Sequence, residues 1–271
     1  MSLLQVNGLT IKDSQTNQLL VEQIHFQVDS GETLGIIGES GSGKTITCRA
    51  LTGINDPRLV VTGDIQFDGK PILKLPESAL KQHRGRDIAM IMQQGSRAFD
   101  PSTRVSKQMI ETMRVHTKMS KKAIVTTLIH YMAYMKLKQP KQILQSYPYM
   151  LSGGMLQRLM IVLALALKPK LIIADEPTTA LDTITQYEVL KAFADIKKQF
   201  DCALIFISHD LAVINQIADK VIVMKNGQLV ESGSRDSVLY QPQHAYTQYL
   251  LSTKRKVNQH FQRVMRGETN A

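Results

Sequence analysis

An α/β fold with a largely parallel sheet at its core is the architecture that this 271-residue chain predicts, on three observations. The apolar run Thr33–Ile37 leads into Gly38-Glu39-Ser40-Gly41-Ser42-Gly43-Lys44-Thr45 and then a helical stretch, so strand, glycine-rich loop and helix follow one another. Further apolar runs at 88–92, 171–174 and 202–207 lack polar alternation, as strands buried on both faces do. Helical patterns long enough for crossovers separate the later runs.

Leu4, Val6 and Leu9, then the alternating Ile24-His25-Phe26-Gln27-Val28, read as strands, and Asp64–Lys70 reads as another that ends in a turn. The front of the chain is therefore a β-rich lobe around the first core strand. Residues 105–147 read mostly helical, with Val105, Met109, Ile110 and Met113, and again Ile124, Leu128, Ile129 and Met132, at spacings of three and four. No strand interrupts this stretch, which places an inserted helical lobe at roughly 96–155. The methionines there are core filling rather than ligands. Ser152 is positioned to cap a helix over 155–167. Helices over 183–199 and 211–218 follow the next two strands, and Val221–Met224, Asn226-Gly227 and Gln228–Val230 form a hairpin. The stretch 254–271 is polar and basic, a frayed or loosely helical tail.

Composition excludes several classes. The apolar fraction, 43%, supports a substantial core. Cys48 and Cys202 lie far apart without C-x-x-C spacing, which argues against a disulfide framework or zinc site and fits a reducing cytosol. No signal peptide opens the chain, and the greasiest stretch, Leu159–Leu167, is far below the roughly 20 residues a bilayer span needs. The net charge of +10 is spread out, with little aromatic interleaving and no Trp. That pattern fits a basic face near anionic lipid or an acidic partner better than nucleic acid.

The chemistry follows from the loop and the strand ends. Glycines at 38, 41 and 43 let successive backbone N–H groups point inward, and the helix start adds a positive dipole end. Lys44 can reach the outer phosphates of a nucleotide, and the Thr45 hydroxyl can sit on Mg²⁺. Three strand ends carry polar residues that a core would not choose: Gln93, Asp175-Glu176 and His209. Ligands collect at the carboxyl ends of parallel strands, so these residues are expected to converge on the phosphate loop. Asp175 can hold Mg²⁺ beside Thr45, Glu176 can polarise an attacking water, Gln93 can touch both, and His209 can bind the γ-phosphate or orient Glu176. Ser152-Gly153-Gly154 forms a second anion-binding helix start. One nucleotide cannot use both starts within one chain. A head-to-tail pair of chains would let each ATP lie between one phosphate loop and the partner's Ser-Gly-Gly.

Over nearly its full length the chain resembles the ATP-binding subunits of ATP-binding-cassette transporters. Gly38–Thr45 resembles their Walker A loop, Gln93 the Q-loop, Leu151–Met155 the signature, Leu171–Glu176 Walker B with its base, Thr179-Ala180-Leu181-Asp182 the D-loop and His209 the switch histidine. The resemblance implies a P-loop NTPase fold with a RecA-like core, an N-terminal antiparallel β lobe and the inserted helical lobe. It also implies an ATP-binding domain over 1–252 and a tail over 253–271. Nucleotide contacts are implied for Glu39, Ser40, Ser42, Thr47, Ser152, Gly153, Gly154 and Asp182 besides the loop glycines, Lys44 and Thr45.

Arg84-Gly85, Met155 where glutamine is usual, and Pro242–Thr247 resemble the dipeptide, oligopeptide and nickel importers. Ile91–Gln93, Ser96–Pro101 and Gly153–Arg158 are similar to the nickel-import ATPase. The implied function is an ATP-hydrolysing motor, peripheral on the cytoplasmic face of the membrane. It would take up nickel or another transition metal, free or as a metal-chelate complex, with a di- or oligopeptide importer as the alternative. A soluble cassette protein acting on ribosomes or DNA is the distant third reading. The implied partners are a second, different but homologous ATPase, two permease subunits and an extracellular substrate-binding protein, without nucleic acid. Two departures stand out. No aromatic residue lies between Met1 and Phe26 to stack adenine, so the isolated subunit is expected to bind ATP weakly. Gln94-Gly95 follows Gln93 where the family carries an acidic or amide residue and proline.

Overall fold

The computed structural model describes residues 2–179 and 181–254. The basic tail expected over 253–271 lies outside them from residue 255 onward.

Two sheets and their covering helices make up the fold. β1 (Ser2–Asp13), β2 (Leu19–Asp29), β4 (Leu59–Phe67) and β5 (Lys70–Pro71) pair antiparallel in the order β2-β1-β4-β5. The strand read at 64–70 begins earlier and turns at Asp68-Gly69. The second sheet runs β10-β9-β3-β8-β7-β6, from β3 (Thr33–Ile37), β6 (Ile88–Ile91), β7 (Leu171–Asp175), β8 (Ala203–Ile207), β9 (Lys220–Lys225) and β10 (Gln228–Ser234). All its pairs are parallel except the β9–β10 hairpin.

Every residue of β3, β7 and β8 is buried, as their unbroken apolar sequences require. Alternation then sends their side chains to two different cores. Ile172, Ala174, Leu204 and Phe206 join the cluster that includes the helical lobe. Leu171, Ile173, Ala203, Ile205 and Ile207 join the cluster shared with the antiparallel sheet and Cys48, Ala50 and Leu51 of α1 (Lys44–Thr52). The sheet is thus a wall between two packed layers.

α2 (Glu77–His83) bridges the two sheets in sequence. The helical stretch of the inserted lobe resolves into α3 (Val105–His116), α4 (Lys121–Tyr134) and α5 (Pro140–Gln145). Ser120 starts α4 by accepting the Ala123 N–H. α6 (Gly153–Leu167) carries the lobe back to the sheet, and its mean apolar character leaves nine of its residues buried. α7 (Thr183–Phe200) and α8 (Leu211–Ile217) start on the carboxylate caps Asp182 and Asp210. α9 (Arg235–Tyr240) and a helix over 245–254 close the described chain. Among the described residues no helix is long and apolar enough to cross a membrane.

Candidate nucleotide site

Because β3, β8, β7 and β6 are neighbours and parallel, their carboxyl ends share one edge of the sheet. The phosphate loop, Gln93, Asp175-Glu176 and His209 follow those four ends. The edge opens into a cleft of about 570 Å³, lined by Gly38–Gly41, Gly43–Ile46, Gln93, Glu176, His209 and Lys254.

The loop is wound tightly. A Cβ at Gly38 would lie 2.2 Å from the Met224 carbonyl oxygen, on a backbone of φ +154°, so only glycine fits. Gly41, at φ +80°, has nothing within 4 Å of the corresponding position. The loop's cleft side is therefore open where a phosphate needs access to backbone N–H groups. Lys44 is buried, and its ammonium donates to the carbonyls of Gly38 (3.0 Å) and Glu39 (2.7 Å) and to Ser42 Oγ (3.3 Å). Burial depresses its pKa, and Glu176 and Asp175 partly oppose that shift. These donors can be handed to phosphate oxygens.

Glu176 is the hub of the strand ends. Its Oε2 accepts from Gln93 Nε2 at 2.9 Å and from Thr179 Oγ1 at 3.1 Å, and His209 Nδ1 lies 3.2 Å away. Its backbone has φ +47°, uncommon for a non-glycine residue, and its N–H donates to the Ile207 carbonyl at 3.0 Å. The turn out of β7 is thus held in a strained form, at a cost on the order of 1–3 kcal/mol, that aims the carboxylate across the cleft. Asp175, one residue earlier, does not line the cleft. It is buried beside Thr45, and burial raises its pKa against the Thr45 hydrogen bond. Adjacent carboxylates on one strand end therefore face different partners.

These observations also test whether ATP and Mg²⁺ fit. The open loop face accommodates phosphates, and the Thr45–Asp175 pair is an all-oxygen donor set suited to Mg²⁺. Among the described residues no cluster of three or more His, Cys, Asp or Glu could hold a metal. An Mg²⁺ ion here would draw its remaining ligands from phosphate and water.

One expected contact needs correction. Thr47 is fully buried, its Oγ1 has no hydrogen-bond partner, and the cleft wall at this turn is Ile46. The side chain at 47 faces the core side of α1, so it cannot meet a nucleotide in this arrangement. Ser42 is likewise buried under the loop and supports Lys44 from below.

Ser152, Gly153, Gly154 and Asp182 do not line this cleft. Ser152 Oγ accepts the Met155 N–H at 3.3 Å, and a Cβ at Gly153 would meet nothing within 4 Å. The Asp182 carboxylate accepts the Thr185 N–H (3.0 Å) and hydroxyl (2.7 Å).

Sequence reasoning missed Thr179 as a Glu176 partner, and it used Gln157 only as part of a motif. Gln157 is 1% exposed on an otherwise apolar face of α6. Its Oε1 accepts the Gly95 N–H at 2.6 Å and its Nε2 donates to the Met92 carbonyl at 3.1 Å. It straps the segment carrying Gln93 to α6. A Cβ at residue 95 would lie 2.6 Å from the Gln157 backbone, which explains glycine after Gln93-Gln94. A buried amide inside an apolar helical stripe was the available signal. A second groove, about 820 Å³, lies between α3, α4 and α5 and bears Lys107, Arg114, Lys121 and Lys141, but no strand end reaches it.

The site is that of a nucleotide-binding α/β protein with a glycine-rich phosphate loop. Residues 21–179 match the family described as ABC transporter. The chain is 69% identical, over 100% of both chains, to the metal-staphylopine import system ATP-binding protein CntD of Staphylococcus aureus. It is 40% identical to the oligopeptide transport ATP-binding protein OppD of Bacillus subtilis, over 93% of this chain and 71% of that one. The fold is similar to a dimeric ATP-binding cassette, MJ0796, solved in a post-hydrolysis state bound to ADP and Pi, with TM-score 0.77, 22% identity and coverage of 86% and 98%. The chain belongs to the ABC transporter family, among the ATP-hydrolysing subunits of import systems.

Proposed function

We propose that this chain is the ATP-hydrolysing motor of a bacterial importer that takes up a transition metal as its staphylopine complex. The observation that carries this reading is the 69% identity, over the full length of both chains, to a metal-staphylopine import ATPase. The peptide alternative rests on relatives near 40% identity and is the weaker reading.

In this reading the open backbone of Gly38–Gly43, with Glu39, Ser40 and Ser42, cradles the phosphates, and Lys44 transfers its donors to the outer ones. Thr45, Asp175 and Gln93 hold Mg²⁺, which supplies charge neutralisation when bound. Glu176 accepts a proton from the attacking water. Gln93, His209 and Thr179 hold its Oε2 in place, so loss of any of them loosens the base. Gln157 ties the occupancy of Gln93 to the position of α6 and the helical lobe. Ser152, Gly153, Gly154 and Asp182 serve the ATP of a second ATPase subunit, facing it head to tail. Exposed apolar side chains flank both stretches: Tyr149 (71% exposed) and Met150 beside Ser152, Ile184 (78%) and Tyr187 beside Asp182. Such a rim suits a closing interface. Two permease subunits and an extracellular binding protein complete the system, with this chain peripheral on the cytoplasmic face of the membrane.

The test is whole-cell metal content by elemental mass spectrometry. Cells carrying the native chain are compared with cells carrying Glu176→Gln during growth with scarce nickel, cobalt and zinc. A selective fall in one or more of these metals is expected. Unchanged metals with impaired peptide uptake would shift the assignment to a peptide importer.

A further inference from the structure

The cleft has a wall that the strand ends do not supply. Lys254 lines it together with Glu39 and Lys44, although it lies about two hundred residues further along the chain. It arrives on the helix over 245–254, which is fixed to the core at several points. The Glu231 carboxylate on β10 accepts the N–H groups of Gln243 (2.8 Å) and His244 (3.1 Å) just before the helix begins. Leu250 and Leu251 are buried in the larger core. Tyr246 is 7% exposed, with the Lys225 ammonium 4.7 Å from its ring centroid, and its hydroxyl accepts the Glu39 N–H at 3.2 Å. The helix therefore touches the phosphate loop directly.

Residues 246, 250 and 254 recur every four positions, so they share one helix face. Tyr246 and Leu250 hold that face against the protein, and Lys254 extends it into the cleft. Among the described residues Lys254 makes no ion pair, whereas Lys170, Lys197 and Lys220 each hold a carboxylate. The cleft wall carries a second cation, Lys44, whose ammonium Lys254 disfavours, besides the carboxylates of Glu39 and Glu176. Two like charges held in one cleft are unfavourable alone and favourable around a polyanion.

We propose that the helix over 245–254 is part of the nucleotide site, with Lys254 a second phosphate-binding cation and Tyr246 a positioning residue for the phosphate loop. The ligand is the polyphosphate of a nucleoside di- or triphosphate. The added charge offsets, from the phosphate end, the aromatic stacking that the front of the chain lacks. The proposal rests on the nucleotide-site reading above.

Isothermal titration of the full chain with MgATP, MgADP and AMP tests it. Lys254→Ala is expected to weaken MgATP and MgADP about tenfold, the loss of one charge-assisted contact, and AMP much less. Lys254→Arg should restore most of the affinity, and the salt dependence of MgATP binding should flatten in the alanine variant. Tyr246→Phe should weaken MgATP a few-fold. Unchanged MgATP binding by Lys254→Ala overturns the proposal while leaving the nucleotide site intact. So does equal weakening by the alanine and arginine variants with a lowered melting midpoint, which would mark a packing role. Failure of the native chain to bind MgATP would instead remove the nucleotide-site reading itself.

Discussion

The starts of α1 and α6 are both glycine-rich helix ends with N–H groups available to an anion, yet the protein treats them differently. α1 begins inside a cleft: Lys44 crosses the loop, three more strand ends bring Glu176, Gln93 and His209 to it, and Ile46 and Lys254 wall it. α6 begins in the open: Ser152 caps the first turn, Arg158 Nε donates back to the Gly154 carbonyl at 3.3 Å, and Gly153 has free space in front. A helix end by itself offers a modest dipole and a few donors, worth under about 1 kcal/mol at an exposed site. Enclosure by strand ends is what turns one of the two into a place for chemistry. In the proposed two-chain arrangement, the other would serve the partner's nucleotide.

That contrast can be broken, and the largest effect belongs to the enclosed end. Glu176→Gln keeps the side-chain volume and removes the proton acceptor, so steady-state ATP hydrolysis should fall by a factor on the order of 10² or more. ATP binding and the ATP-bound closed dimer should persist, visible by size-exclusion chromatography. Normal turnover in this variant would remove Glu176 from its role.

Ser152→Arg probes the open end. It should leave MgATP affinity at the chain's own phosphate loop within about twofold, because Ser152 lies outside that cleft. Hydrolysis at the site this residue completes in the partner should stop. A loss of affinity at the chain's own loop would show that the two helix ends meet within one chain.

The smallest effect sharpens the electrostatics of the enclosed end. Burial raises the Asp175 pKa, so its contribution to stability is present below the ordinary carboxylate range and is lost as pH rises through the folded-state value. Asp175→Asn should therefore stabilise the nucleotide-free chain at neutral pH, by an amount on the order of 1 kcal/mol. The gain should vanish toward pH 3, where both side chains are neutral. Thermal melts across pH read it directly. The same variant should lose Mg²⁺-dependent stabilisation by ATP.

Much of this was legible in the linear sequence because local chemistry dictates it. Thr33–Ile37, Leu171–Ala174 and Ala203–Ile207 could only be buried strands, and Gly38–Thr45 could only be a tight loop before a helix. Ser152 was readable as a cap because a short polar side chain before an apolar helix satisfies orphan N–H groups. The convergence of Gln93, Glu176 and His209 followed from one rule about parallel strand ends, and their distances near 3 Å agree with it. Thr47 was misjudged because sequence distance from Lys44 does not say which way a helix face turns; one residue of rotation swapped it with Ile46.

The sequence alone determined the layered α/β plan, the order of elements and the identity of the phosphate loop, since hydrophobic period and glycine placement act over a few residues. What encloses that loop is set by contacts between elements far apart in the chain. Gln157 against Gly95 and Tyr246 against Glu39 depend on how separate elements pack. No local pattern encodes such contacts, because each partner looks ordinary until the core positions it beside the other.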